Sequence, residues 1–154
     1  VVTTATGYMG GHTPDPTYEQ VCSHTTGHAE TVRVLFDTSL TSAADLIRLF
    51  FEIHDPTQVG GQGNDIGDQY RSQIWTTTPE QLRDATALRE AYQDVLSARG
   101  FGPIQTVIST APDADSNARF WYAEDYHQQY LFKNPGGYEC HARTGVACPA
   151  LPSE

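Results

Sequence analysis

Thr31-Val32-Arg33-Val34-Leu35-Phe36-Asp37, followed at once by Ser42-Ala43-Ala44-Asp45-Leu46-Ile47-Arg48-Leu49-Phe50-Phe51-Glu52-Ile53, decides the fold class. Val32, Val34 and Phe36 alternate onto one face, the period of a half-buried strand. Ser42 reads as an N-cap, and Leu46, Leu49, Phe50 and Ile53 recur at helical spacing. The helix stops before Asp55-Pro56, because the residue preceding a proline avoids helical backbone.

The pattern continues outward from there. Upstream, Val1 to Thr6 reads as a strand ending in the glycine-rich Gly7-Tyr8-Met9-Gly10-Gly11, and Thr17 to Cys22 as a short helical turn. Downstream, Thr57 to Asp68 is a glycine-rich loop and Gln73 to Thr76 a short strand. Thr78-Pro79-Glu80-Gln81 is a helix start with an N-cap Thr, a first-turn Pro and a Gln three residues on. Leu82, Ala85, Leu88, Tyr92 and Leu96 carry the stripe to Gly100, and Ile104 to Ser109 forms a last strand. Strands and helices are mixed, with too few crossovers for a doubly wound sheet. The fold class is α+β, helices packed on a mostly antiparallel sheet.

The 154 residues make one domain, residues 1–154, with 19 acidic and 9 basic side chains and a net charge of −10. That balance argues against nucleic acid as a partner, since phosphate recognition needs Lys and Arg. No stretch has the length of an apolar membrane span, and no signal-peptide pattern is present. Three cysteines are too few for a secreted disulfide scaffold, so a reducing, cytoplasmic setting is the default.

Two of those cysteines, Cys140 and Cys148, lie in a tail (136–154) short of large apolar side chains. Such a segment buries little and is expected to be mobile. Two thiols near enough to meet suit redox exchange, a structural disulfide, or no role at all, and the tail alone leaves these open. Zinc on Cys22-Ser23-His24 with His28, or on Cys140-His141 with Cys148, lacks the paired Cys-x-x-Cys or His-x-His spacing.

Three other runs look over-specified for structure: Gly27-His28-Ala29-Glu30, the loop Gln62 to Ser72 with Asp65 and Tyr70, and Ala123 to Pro135. A carboxylic acid at a strand entry, hydroxyls nearby and glycines that let backbone approach are the parts of a proton-donating, oxyanion-holding site. On their own, His28 and His127 read as structural, and Trp75, Phe120 and Trp121 as core or pocket wall.

These runs, with Gly7 to Gly11, Pro16 to Ser23, Ile53-His54-Asp55-Pro56-Thr57 and the two tail cysteines, resemble the peptide methionine sulfoxide reductases of the A type over nearly the whole chain. The resemblance implies a ferredoxin-like two-layer sandwich on a mixed, mostly antiparallel sheet with a coil-rich C-terminal segment. It implies thioredoxin-dependent reduction of methionine-S-sulfoxide in proteins or peptides. Glu30 matches the acid that protonates the sulfoxide oxygen, Tyr8 and Tyr70 the phenols that hydrogen-bond it, and Asp65 the carboxylate that organises this end. Cys140 matches the first resolving cysteine and Cys148 the second, which passes the disulfide to thioredoxin. No cofactor is implied beyond thioredoxin or dithiothreitol as reductant, and the full-length form is expected to be monomeric.

One family feature is not in these residues. The nucleophile belongs to a Gly-Cys-Phe-Trp motif, which no run between Val1 and Glu154 supplies. Cys22 aligns with a bystander cysteine and lacks the Phe-Trp flank. The reading is of a chain truncated before Val1, missing one strand, one helix and the nucleophile, inactive alone and either marginal or self-associating. The alternative is a non-catalytic module that binds methionine or methionine sulfoxide peptides. Gly60-Gly61, Asp68 and Glu139 are smaller departures from the family pattern.

Overall fold

The computed structural model describes residues 1–140 and 142–153. β1 (Thr3–Met9) pairs antiparallel with β2 (Ala29–Leu35) along its length, with Tyr8 opposite Glu30, Thr6 opposite Val32 and Thr4 opposite Val34. β7 (Trp121–Tyr122) joins the other edge of β1, giving a three-stranded antiparallel sheet in the order β2-β1-β7. Two smaller ladders complete the mixed architecture. β3 (Gly61–Gln62) and β4 (Asp65–Ile66) form a hairpin, and β5 (Gln73–Thr76) pairs parallel with β6 (Val107–Thr110) across a helical crossover.

Local chemistry explains where the helices start. Thr17 accepts from the Gln20 N–H while the Gln20 side chain accepts from the Thr17 N–H, a capping box that opens α1 (Tyr18–Cys22). Ser42 caps α2 (Ala43–Glu52) through the Asp45 N–H, and Thr78 caps α3 (Pro79–Ala98) through the Gln81 N–H. α3 ends before Gly100, whose φ of 86° a side chain would strain. A short α4 (Tyr130–Lys133) follows a turn at Asp125–His127.

Two cores result. The larger packs Ile47 and Phe51 of α2 against Ala85, Leu88, Tyr92 and Leu96 of α3, with Ile74 and Ile108 from the parallel pair beside them. Each fully buried Leu or Phe there contributes about 1.5–3 kcal/mol. The smaller unites Tyr8, Val21 and Ala123, with Tyr18 against them.

The structure corrects three expectations. On α2 the buried pair is Ile47 and Phe51, while Leu49 and Ile53 are 53% and 45% exposed. Apolar residues occupy most of the helix circumference, so spacing alone fits several stripes. On β2 Val34 and Phe36 are half-buried as the alternation implies, but Val32 on the same face is 60% exposed. The tail also buries more than its composition suggests: Cys148 is 1% exposed and belongs to the larger core, with Val146 and Leu151 packed beside it. Polar groups do that docking. The Cys148 N–H donates to Glu52 at 2.9 Å, its carbonyl accepts twice from Arg48 at 3.1 Å, and the Tyr92 hydroxyl donates to the Val146 carbonyl at 2.8 Å.

Candidate active site

The β1–β2 register builds the site. Directly paired residues share a face, so Tyr8 and Glu30 project together beside Thr6. They line a cavity of about 230 Å³ with Tyr18, Asp65, Tyr70, His127 and Tyr138. His28 sets the strand entry. Its Nδ1 accepts from the Gly11 N–H at 2.9 Å and its Nε2 donates to the Thr13 carbonyl at 2.7 Å, so the buried ring is neutral and structural. Burial, the largest influence on it, lowers its pKa.

The opposite wall comes from the β3–β4 hairpin and the turn after it. The two-residue connection Gly63-Asn64 needs positive φ at its first position, and Gly63 supplies 57°. Gln58 holds that turn, accepting from the Gly63 N–H at 2.6 Å and donating to its carbonyl at 3.1 Å. The Gln62 amide donates to the Tyr70 carbonyl at 3.0 Å, and Arg71 donates to the Gly27 carbonyl at 3.0 Å. Asp65 and Tyr70 are thereby fixed against the start of β2.

The electrostatics follow from this packing. Burial, reinforced by the nearby charge of Asp65, pushes the Glu30 carboxyl up to about 7. Glu30 is therefore an acid that still carries its proton near neutrality. Tyr8 is raised well above an ordinary phenol by burial, then by its hydrogen bond to Glu124. Tyr70 is raised by burial and by Glu30. A protonated carboxylic acid and phenols round a small cavity can protonate and hold an acceptor oxygen.

Four residues singled out in the sequence, Tyr8, Glu30, Asp65 and Tyr70, are thus brought together. Cys140 lies next to them without lining the cavity. Its thiol donates to the Gln62 carbonyl at 3.6 Å, and a Cβ on Gly63 would come within 3.0 Å of its sulfur. Cys148 is elsewhere, in the helical core, and burial pushes its thiol up to about 11. All three cysteines are free thiols, and Cys22 lies beside the Tyr18 phenol. Among the described residues no group of three or more His, Cys, Asp and Glu side chains is placed to hold a metal, and His141 lies outside them.

The structure adds residues the sequence reading passed over. Tyr138 donates to Asp65 at 3.1 Å, two positions before Cys140; an aromatic so near a tail thiol was the available signal. Tyr18 reads in the sequence as part of a helical turn and of the Pro16 to Ser23 resemblance, with no role of its own. His127 packs between Tyr18 and Tyr126, with centroids 4.7 and 4.3 Å away, as its structural reading implied, yet it also lines the cavity. Glu124 accepts from Tyr8 at 3.0 Å.

Comparison with known proteins bears on the family and the fold. The chain is 55% identical over 149 residues to the peptide methionine sulfoxide reductase MsrA of Rhodospirillum centenum, covering 97% of this chain and 65% of that one. It is 54% identical over 147 residues to MsrA of Azorhizobium caulinodans, covering 95% and 64%. It therefore spans slightly less than two thirds of these curated relatives. Methionine sulfoxide reductase A of Corynebacterium diphtheriae superposes with a TM-score of 0.81 at 43% identity, covering 99% of this chain and 73% of that one. Mxr1 from Saccharomyces cerevisiae in reduced form gives 0.81 at 33% identity, covering 93% and 77%. No helix is long and apolar enough to cross a membrane among the described residues. The family model for peptide methionine sulfoxide reductase matches residues 1–151, and the chain belongs to that family.

Proposed function

We propose that these residues form the oxygen-binding half of a methionine-S-sulfoxide reductase site. The observation that carries the reading is Glu30, an acid raised to about 7 by burial and set opposite Tyr8 on paired strands. In the reaction R₂S=O plus two thiols gives R₂S, water and a disulfide. Glu30 gives a proton to the sulfoxide oxygen, which makes sulfur electrophilic, and Tyr70 holds that oxygen.

The attacking thiolate is the part this sequence lacks, since it contains no Gly-Cys-Phe-Trp run. Cys140, against the hairpin that carries Asp65, is the thiol placed to resolve a sulfenic acid formed at the cavity. Cys148 follows it, and thioredoxin or dithiothreitol reduces the final disulfide in a cytoplasmic repair reaction. By themselves these residues bind the sulfoxide without reducing it.

Titration of the chain with N-acetyl-methionine sulfoxide amide of each epimer tests this. Saturable binding of the S epimer, several-fold tighter than the R epimer and abolished by Glu30→Ala, is expected, with no methionine formed in dithiothreitol. Equal or absent binding of both epimers would remove the site assignment, and turnover would remove the missing-thiol argument.

A further inference from the structure

Tyr8 has one phenolic proton, and the hydrogen bonds show where it goes. Its hydroxyl lies 3.0 Å from Oε1 of Glu124, while Oε2 of the same carboxylate accepts from the Tyr18 N–H at 3.0 Å and the Tyr126 hydroxyl at 3.1 Å. A carboxylate with three donors has no proton of its own to give, so Tyr8 is the donor in that pair. Partial burial works against ionisation of Glu124. The Tyr18 N–H, its own backbone N–H and the two phenols outweigh this and hold it below the usual carboxylate range.

The carboxylate is also fixed in place. Gln128 behaves as an extra strand residue: its Oε1 accepts from the Thr6 N–H, and its Nε2 donates to the Thr6 carbonyl, both at 2.8 Å. It donates to the Ala123 carbonyl as well, at 3.0 Å, so the segment holding Glu124 is stitched along β1. Tyr8 is itself 1% exposed. The charged and titratable groups round it are Glu30 from β2 and Glu124 and Tyr126 from the segment after β7, with Tyr18 of α1, Asp65 of β4, Tyr70, His127 and Tyr138 lining the same cavity.

We propose that Glu124 is a positioning residue that accepts the Tyr8 hydroxyl's hydrogen bond, so that Tyr8 turns its oxygen lone pairs toward the cavity. An unprotonated sulfoxide oxygen has only lone pairs and gains nothing from Tyr8. Once Glu30 has transferred its proton, leaving Glu30 a carboxylate and the substrate an S–O–H cation, that new hydroxyl donates to Tyr8, whose own proton leads to the Glu124 charge. Tyr8 then favours the protonated substrate over the resting one, which is the kind of difference that lowers a barrier. Tyr70 remains the phenol that donates. The proton's direction rests on the hydrogen bonds alone; its meaning rests on the sulfoxide reading above.

The test is a pH titration of the chain labelled with tyrosine carrying ¹³C at Cζ, with Tyr8 assigned by Tyr8→Phe. The Tyr8 signal is expected to show one acid midpoint, below the ordinary carboxylate range, from Glu124, and another near 7, from Glu30. Glu124→Gln should abolish the acid midpoint and keep the other, leaving the Tyr92 signal of the helical core in place. Should that variant fail to fold, Tyr126→Phe keeps the carboxylate with one donor fewer and should raise the acid midpoint. A Tyr8 signal that follows Glu30 alone, or an acid midpoint that neither variant alters, overturns the proposal. In S-sulfoxide binding, Tyr8→Phe should cost less than about twofold and Tyr70→Phe about fivefold, one hydrogen bond's worth. Equal losses overturn the proposal too. Absence of any sulfoxide binding would instead count against the site's function, while the titration would still decide where the proton points.

Discussion

Cys140 and Cys148 are eight residues apart in the chain and occupy opposite environments. Cys140 lies at the cavity's edge, on the hairpin whose Asp65 faces Glu30, with a weak contact to the Gln62 carbonyl. Cys148 is sealed among Phe51, Leu88, Tyr92 and Leu96 and strapped to α2 by Arg48 and Glu52. The difference teaches that sequence proximity does not give two thiols equal reactivity. A thiol raised to about 11 is roughly one part in a thousand thiolate at pH 8, and buried as well. Any exchange between the two requires residues 144–151 to leave the helical core.

The comparison breaks most completely if that core is removed. Phe51→Ala should cost about 4 kcal/mol in urea unfolding and raise the alkylation rate of Cys148 toward that of Cys140. The next effect belongs to the cavity. Glu30 has a folded pKa raised above its unfolded value, so the folded state holds the extra proton. Stability therefore falls as pH rises from about 4.5 to about 7 and stays lower above that. Glu30→Gln should stabilise the chain at pH 8 by roughly 2 kcal/mol, a figure reduced for solvent screening, and should change little at pH 4. A gain equal at both pH values would mean that Glu30 is not held protonated.

Arg48→Ala sharpens the contrast at lower cost. Losing its two bonds to the Cys148 carbonyl should destabilise by about 1 kcal/mol and speed alkylation of Cys148 several-fold, with Cys140 unchanged. Tyr138→Phe is its counterpart at the other end. Removing this solvent-exposed bond to Asp65 should leave urea unfolding essentially unchanged and raise Cys140 labelling only slightly.

Much of this was legible from short-range patterns. The Ser42 and Thr78 caps, the strand that Glu30 leads into, and the stop at Gly100 each follow from local chemistry that tertiary packing did not override. The four cavity residues Tyr8, Glu30, Asp65 and Tyr70 are legible through motif resemblance alone, without their proximity. The α2 face was not legible, because Leu46, Ile47, Leu49, Phe50, Phe51 and Ile53 leave several equivalent stripes and α3 chooses among them. Nor was the docking of Cys148. It depends on Arg48, Glu52 and Tyr92 reaching main-chain groups 54 to 100 positions away, which no local window contains. Glu124 stands in the over-specified run Ala123 to Pro135, but its role is not legible there for the same reason: its partner Tyr8 is 116 residues upstream.

The central claim is that Glu30 carries a proton near neutrality for a sulfoxide oxygen to take. ¹³C NMR of the Glu30 carboxyl, titrated with and without N-acetyl-methionine-S-sulfoxide amide, addresses it directly. The account expects a midpoint near 7 in the free chain, an upward shift on binding, and affinity that weakens as pH rises through that midpoint. A midpoint at an ordinary glutamate value, with pH-independent binding, would contradict it.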